Sequence, residues 1–194
     1  MIIFIPLSIL QGKSDWAIAC SEFPIRQCPI CLAETIIGHG RRHKQAHDEA
    51  HDWICVRRGI CKLCGTTFTF LPILSPPYGH YSWVARSHAV RDYFVEGKPL
   101  ESATPLVKDP DKLPSPSTLR RWFRSLDSPI LYQSFAAMDS TCNTSSSTEE
   151  LAGVRKDSSF PFLEQIVQAA RQRLATQSWK SLAPFLQILL PLRC

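Results

Sequence analysis

Apolar residues recur along this chain with two different periods, and the change from one to the other divides it. At the start, the β-branched Ile2, Ile3 and Ile5 predict a buried strand. Residues 35–38, 53–57 and 66–71 are three further short β-prone runs, the last with Phe68 and Phe70 alternating at period two. Beyond residue 77 the spacing turns helical. Trp83, Val90 and Phe94 fall on one side of a helix predicted over 81–96, with Gly97 as its stop. A short helix is predicted over 99–104, ending before Pro105. A third begins at Ser115, which can cap it, with Pro116 suited to the first helical position. There Leu119, Trp122, Phe123 and Leu126 recur at i, i+3, i+4, i+7 as one apolar face. A last helix is predicted over 160–177. Ser159 is its cap, and Phe162, Leu163, Ile166, Val167, Ala170 and Leu174 form its apolar side. Pro184 and Pro191 interrupt the remaining residues up to Cys194.

The punctuation between these runs sets the organisation. Residues 1–74 form a strand-like region, and the proline-rich 71–77 reads as a linker. Residues 78–127 form a helical region. Residues 128–194 form a C-terminal region in which a Ser/Thr-rich stretch at 140–148 reads as a linker before the final helix. No internal repeat is visible. Hydrophobic residues make up 44 % of the 194, enough for real cores, and the 15 prolines argue against long uninterrupted helices.

Charge narrows the class of partner. The net charge is +5, the excess lies mostly before residue 128, and all six histidines precede residue 90. A positive excess favours an anionic partner such as nucleic acid. The apolar run at residues 1–10 is interrupted by Pro6 and Ser8. It is too short to span a bilayer and lacks the basic start of a signal peptide. The expected location is therefore the cytoplasm, with no membrane association.

The eight cysteines carry the sharpest chemical signal. Four of them form two C-x-x-C pairs, Cys28-Pro29-Ile30-Cys31 and Cys61-Lys62-Leu63-Cys64, the second leading into Gly65. In a chain without an export signal this pattern reads as metal binding rather than disulfides. Each pair can form a tight turn whose backbone N–H groups point at the thiolates. Two such turns supply four sulfurs to a tetrahedral Zn²⁺. Sulfur ligands favour zinc over Mg²⁺ or Ca²⁺. With all four positions filled, the expected role is structural, not catalytic. Cys20 and Cys55 read as small core residues. His39, His43, His47 and His51 are spaced four apart, but they lie in a polar stretch between β-prone runs and read as solvated side chains on an exposed arm.

Two basic groups complete the picture. Arg41, Arg42 and Lys44 lie on that arm, and Arg57 and Arg58 on the return strand, so that a ribbon could gather them on one face. On the third helix, Ser117, Thr118, Arg120, Arg121 and Arg124 lie away from the apolar stripe. A helix of this kind resembles a recognition helix, with N-terminal residues reaching bases and flanking arginines reaching phosphates. An amphipathic helix with solvated arginines is the plainer alternative.

Taken together, residues 28–31, 38–42, 56–58, 61–69 and 117–122 resemble the N-terminal part of bacterial insertion-sequence transposases, in which a zinc ribbon precedes a helix-turn-helix. The likeness is closest to uncharacterised transposase-like proteins carrying only this part, and it covers about residues 20–126. The resemblance implies that Cys28, Cys31, Cys61 and Cys64 ligate zinc, that residues 117–124 contact double-stranded DNA, and that the chain is of mobile-element origin. Two departures accompany it. Residues 108–114 exceed a helix-turn-helix turn of about three to four residues. After residue 128 only Asp139, Glu149, Glu150, Asp157 and Glu164 are acidic, too few for a two-metal nuclease core.

The expected fold is α+β: a small antiparallel zinc-ribbon sheet, a helix-turn-helix-like three-helix unit and a C-terminal helix. The expected function is zinc-dependent DNA binding without enzymatic activity, with a homodimer or a transposase as further partner. A protein-interaction module or an accessory transposase subunit is the alternative.

Overall fold

The computed structural model describes residues 1–5, 25–72, 74–133 and 154–177. The Ser/Thr-rich stretch, Cys20, Pro184 and Pro191 lie outside them. The architecture is α+β, a four-stranded sheet and several helices, in two compact units. One unit takes Met1–Ser82 with Val107–Asp109, and the other Trp83–Leu106 with Pro110–Cys194.

In the first unit, β1 (Ile2–Ile5), β2 (Ile36–Gln45), β3 (Trp53–Cys61) and β4 (Thr67–Pro72) are ordered β1-β4-β3-β2. β2, β3 and β4 form the expected antiparallel ribbon. β1 makes the sheet mixed, because it joins β4 in parallel with Ile2 opposite Thr69 and Ile5 opposite Pro72. The Met1 amino group donates to the Thr67 carbonyl at 2.9 Å, and Thr69 N–H donates to the Met1 carbonyl at 2.9 Å. The stretch expected to be a linker therefore begins inside β4, where Leu71 is fully buried. Ile36, Ile54, Val56, Phe68, Phe70 and Leu71 form the core, with Cys28 and Cys61 buried among them.

The polar arm differs from its expectation. It continues β2 to Gln45, bulging between Gly38 and Arg41, where Gly40 takes a φ of 92°. At the hairpin end, Asp48 Oδ1 accepts from Ala50 N–H at 2.9 Å and His51 N–H at 2.7 Å, closing a turn that brings the chain back as β3. His47 N–H donates to the His80 carbonyl at 2.7 Å, Ser82 N–H donates back at 3.2 Å, and the His47 and Tyr81 rings lie 5.4 Å apart. His47 and Asp48 are consequently buried, and His51 rests 2.9 Å from Asp48 Oδ1. Only His39 and His43 are exposed as expected, because hydrogen bonds satisfy polar groups that the sequence pattern assigned to solvent.

In the second unit, α1 is Trp83–Phe94, α2 is Pro116–Leu126 and α3 is Pro161–Gln177. Gly97, at φ 68°, ends the chain's run beyond α1. The short helix expected over 99–104 is a single turn, with Ser102 and Ala103 N–H both donating to the Pro99 carbonyl. Flanking prolines leave it no room to propagate. A 3-10 turn at Pro110–Lys112 occupies the long connection to α2. Ser115 caps α2 by accepting from Thr118 N–H at 3.4 Å, and Leu119, Trp122, Phe123 and Leu126 are its buried face. Phe94, Phe123 and Phe160 bring the elements together, with ring centroids 5.6 to 6.4 Å apart.

The cap of α3 is not Ser159. Asp127, just past α2, accepts from Phe162 N–H at 2.8 Å and Leu163 N–H at 2.9 Å through one oxygen. A carboxylate placed there also meets the positive end of the helix dipole. Asp127→Ala is expected to destabilise the helical unit by about 1–2 kcal/mol, the usual cost of a lost N-cap. Denaturant unfolding followed by helical circular dichroism measures it, and an unchanged midpoint contradicts the assignment.

Candidate metal centre

Two knuckles of nearly identical backbone build the sulfur cluster. In the first, Cys28 N–H donates to the Ala33 carbonyl at 2.8 Å and Leu32 N–H donates to the Cys28 carbonyl at 2.8 Å. In the second, Cys61 N–H donates to the Thr66 carbonyl at 3.0 Å and Gly65 N–H donates to the Cys61 carbonyl at 2.9 Å. The residue after the second cysteine is left-handed in both, Leu32 at φ 61° and Gly65 at φ 70°. This conformation reverses the chain so that both sulfurs of a pair point inward. The second knuckle is the link between β3 and β4. The first precedes β2, to which Ile36 N–H ties it through the Arg26 carbonyl at 3.1 Å. Sheet pairing of Ile36 with Cys61 sets one knuckle against the other.

All four Sγ atoms lie within 4.8 Å of one another. Cys28 and Cys64 are 3.7 Å apart, and Cys31 and Cys61 are 3.5 Å apart. A tetrahedron with metal–sulfur bonds of about 2.3 Å has edges of about 3.8 Å, so the spacing fits one ion bound by four sulfurs. None of the described cysteines is in a disulfide. The cluster is the one grouping of His, Cys, Asp and Glu among the described residues that could hold a metal ion.

The surroundings prepare the sulfurs unequally. The Thr35 hydroxyl, 3.2 Å away, and the backbone N–H groups of Cys64 and Leu63 pull the Cys61 thiol down to about 6. The Thr66 hydroxyl, 3.3 Å away, lowers Cys64. The Ala33 backbone favours the Cys31 thiolate, but burial and the neighbouring sulfurs outweigh it and push that thiol up to about 12. Thiolates packed this closely repel one another, and a cation placed among them would relieve that repulsion.

The basic residues divide into different settings. Arg41 pairs with Arg57 and Arg42 with Val56, so successive alternation puts Arg41 and Arg57 on one face of the ribbon and Arg42 and Arg58 on the other. The single basic face expected from sequence is thus split by register. Lys44 is buried, its ammonium donating to the carbonyls of Gly79 at 2.6 Å and Gln45 at 3.1 Å. It anchors the hairpin rather than facing solvent. On α2, Arg120, Arg121 and Arg124 are exposed and make no ion pair among the described residues. The Ser117 and Thr118 hydroxyls lie 2.9 and 3.0 Å from Ser115 Oγ and belong to the cap cluster.

Sequence reading passed over Arg86 and the apolar knuckle tips. The Arg86 guanidinium sits 4.6 Å from the Trp83 ring and 5.2 Å from the Trp122 ring, so a cation lies between the apolar faces of α1 and α2. Its i, i+3 spacing from Trp83 was the available signal. Ile30, Leu32 and Leu63 are exposed at the knuckles, where a C-x-x-C turn has no interior side to offer them.

Leu32 occupies a conformation that Gly65 takes without strain. Leu32→Gly is expected to stabilise the first unit by up to about 1 kcal/mol, and Gly65→Ala to destabilise it by about the same amount. Thermal unfolding of the metal-loaded protein compares the two. Equal shifts in one direction would contradict the symmetry of the knuckles.

Comparison with known proteins adds a boundary. Residues 28–122 match a protein family described as a domain of unknown function (DUF6431). Neither the curated proteins nor the solved structures yielded a match. The matched span opens on the first cysteine of the cluster, takes in the ribbon, and closes on Trp122 in the buried face of α2.

Proposed function

We propose that this chain is a zinc-dependent DNA-binding protein of transposase-like origin that acts without catalysis of its own. The observation that carries the reading is α2. Its apolar face is buried, and Arg120, Arg121 and Arg124 stand exposed with no acidic partner among the described residues. Three unpaired guanidiniums on one short helix suit a dense row of phosphates and the acceptor edge of guanine. The ribbon supports the same reading. Arg41 and Arg57 face each other across the strands and so add two positive charges to one face of it.

Zinc is the ion we assign to the cluster. Four thiolates at tetrahedral spacing suit it, and a fully sulfur-bound ion has no open position for water or substrate. The ion's contribution would be to hold the knuckles together, which is folding energy for a small sheet.

A second reading rests on the knuckle tips. Ile30, Leu32 and Leu63 are 58, 69 and 69 % exposed, and such a tip could dock on another protein, including a catalytic transposase subunit. Electrophoretic shift of duplex DNA across a salt series separates the readings. A DNA binder loses affinity linearly in log salt, and Arg121→Ala is expected to weaken a selected sequence by about tenfold more than random duplex. No shift at low salt would favour the docking reading instead.

A further inference from the structure

The second unit contains a cleft of 590 Å³ that the recognition-helix reading leaves unexplained. Arg120 and Arg124 of α2 line it from one side. They are one helical turn apart, about 6 Å along the axis, so their guanidiniums can reach different oxygens. Arg121, between them in sequence, does not line it. Arg155 completes the basic lining, 31 residues further along the chain than Arg124.

Arg155 is held in place with no carboxylate hydrogen-bonded to it among the described residues. Its guanidinium donates to the Lys98 carbonyl at 2.9 Å and the Gly97 carbonyl at 3.0 Å, and stacks 4.6 Å from the Tyr93 ring. Its backbone N–H donates to the Phe94 carbonyl at 2.7 Å. The two carbonyls use two of the five N–H donors of a guanidinium and the Tyr93 hydroxyl engages a further one, so donors still remain for a ligand. Asp157, also in the cleft, is already committed, accepting from the Tyr93 hydroxyl at 2.7 Å and from Ser159 N–H at 2.9 Å. Glu101 is the other acidic residue of the lining. Three guanidiniums thus converge on one cleft against two carboxylates, of which Asp157 also attracts Arg155, and the lining keeps a net excess of one positive charge.

We propose that this cleft seats the phosphate backbone of a DNA strand, with Arg155 as a preorganised third guanidinium beside Arg120 and Arg124. The proposal rests on the DNA-binding reading and adds a division of labour to it. The cleft side of α2 holds phosphates irrespective of sequence, while Arg121, outside the cleft, is left to read bases. Rigid placement by Tyr93 and two carbonyls lowers the ordering cost of the contact, which an unanchored surface arginine would incur on binding.

Fluorescence anisotropy of labelled duplex, repeated across salt concentrations with the full chain, tests this. Arg124→Gln and Arg155→Gln are each expected to reduce the slope of log affinity against log salt by about 0.9, and to weaken selected and random duplexes by equal factors. Arg155→Lys is expected to keep the slope. Glu101→Gln removes an opposing charge without touching a described hydrogen bond, and is expected to raise affinity at low salt about twofold or more. It decides the matter if Arg155→Gln fails to fold. An unchanged slope in folded Arg155→Gln, or unchanged affinity in Glu101→Gln, overturns the proposal while leaving DNA binding in place. Tripolyphosphate binding that Arg155→Gln abolishes, with duplex binding unaltered, overturns it in favour of a small-anion site. A wild-type chain that binds no duplex overturns both readings together.

Discussion

Sulfur–sulfur convergence is the constraint on which the first unit depends. Cys28 and Cys61 are fully buried, yet each belongs to a set of four sulfurs packed within 4.8 Å. As thiolates they repel; as thiols they offer only weak hydrogen bonds where a core residue should pack. A single divalent cation turns the same arrangement into four strong bonds. The two knuckles flank the β2–β3 pairing at Ile36 and Cys61, so whatever holds the sulfurs together also fixes the register of the ribbon. That register in turn decides which arginines share a face.

Among the described residues, the second unit has no such cluster. Its stability comes from aromatic packing among Phe94, Phe123 and Phe160 and from a carboxylate at the end of α2 that caps α3. The consequence for function is geometric. Burying Leu119, Trp122, Phe123 and Leu126 forces the arginines of α2 outward, and the cation between Trp83 and Trp122 joins that helix to α1 from behind. A helix so tightly backed can present its polar side without losing position.

The parts legible in the sequence were those set by local chemistry. Two C-x-x-C pairs give the sulfur cluster, because turn geometry and ligand spacing are encoded within four residues. Ser115, Pro116 and the i, i+3, i+4, i+7 stripe give the start and the buried face of α2, because cap and face agree. The illegible parts were set by distant partners. β1 could have paired either way, and its parallel seat against β4 comes from tertiary contact rather than from Ile2, Ile3 and Ile5 themselves. Lys44 and His47 read as parts of an exposed arm because their hydrogen-bond partners, at Gly79 and His80, lie far along the chain. Ser159 looked like a cap, but the oxygen that does the capping comes from Asp127, about thirty residues earlier. Arg155 carried no signal at all, since its meaning comes from Tyr93 and the two carbonyls that hold it.

The most direct measurement is native mass spectrometry of the purified chain, before and after Cys61→Ser, with sheet structure monitored in parallel. The account predicts one tightly held zinc per chain, lost on the substitution together with the folded ribbon. A wild-type chain that carries no metal and keeps its ribbon intact would contradict it.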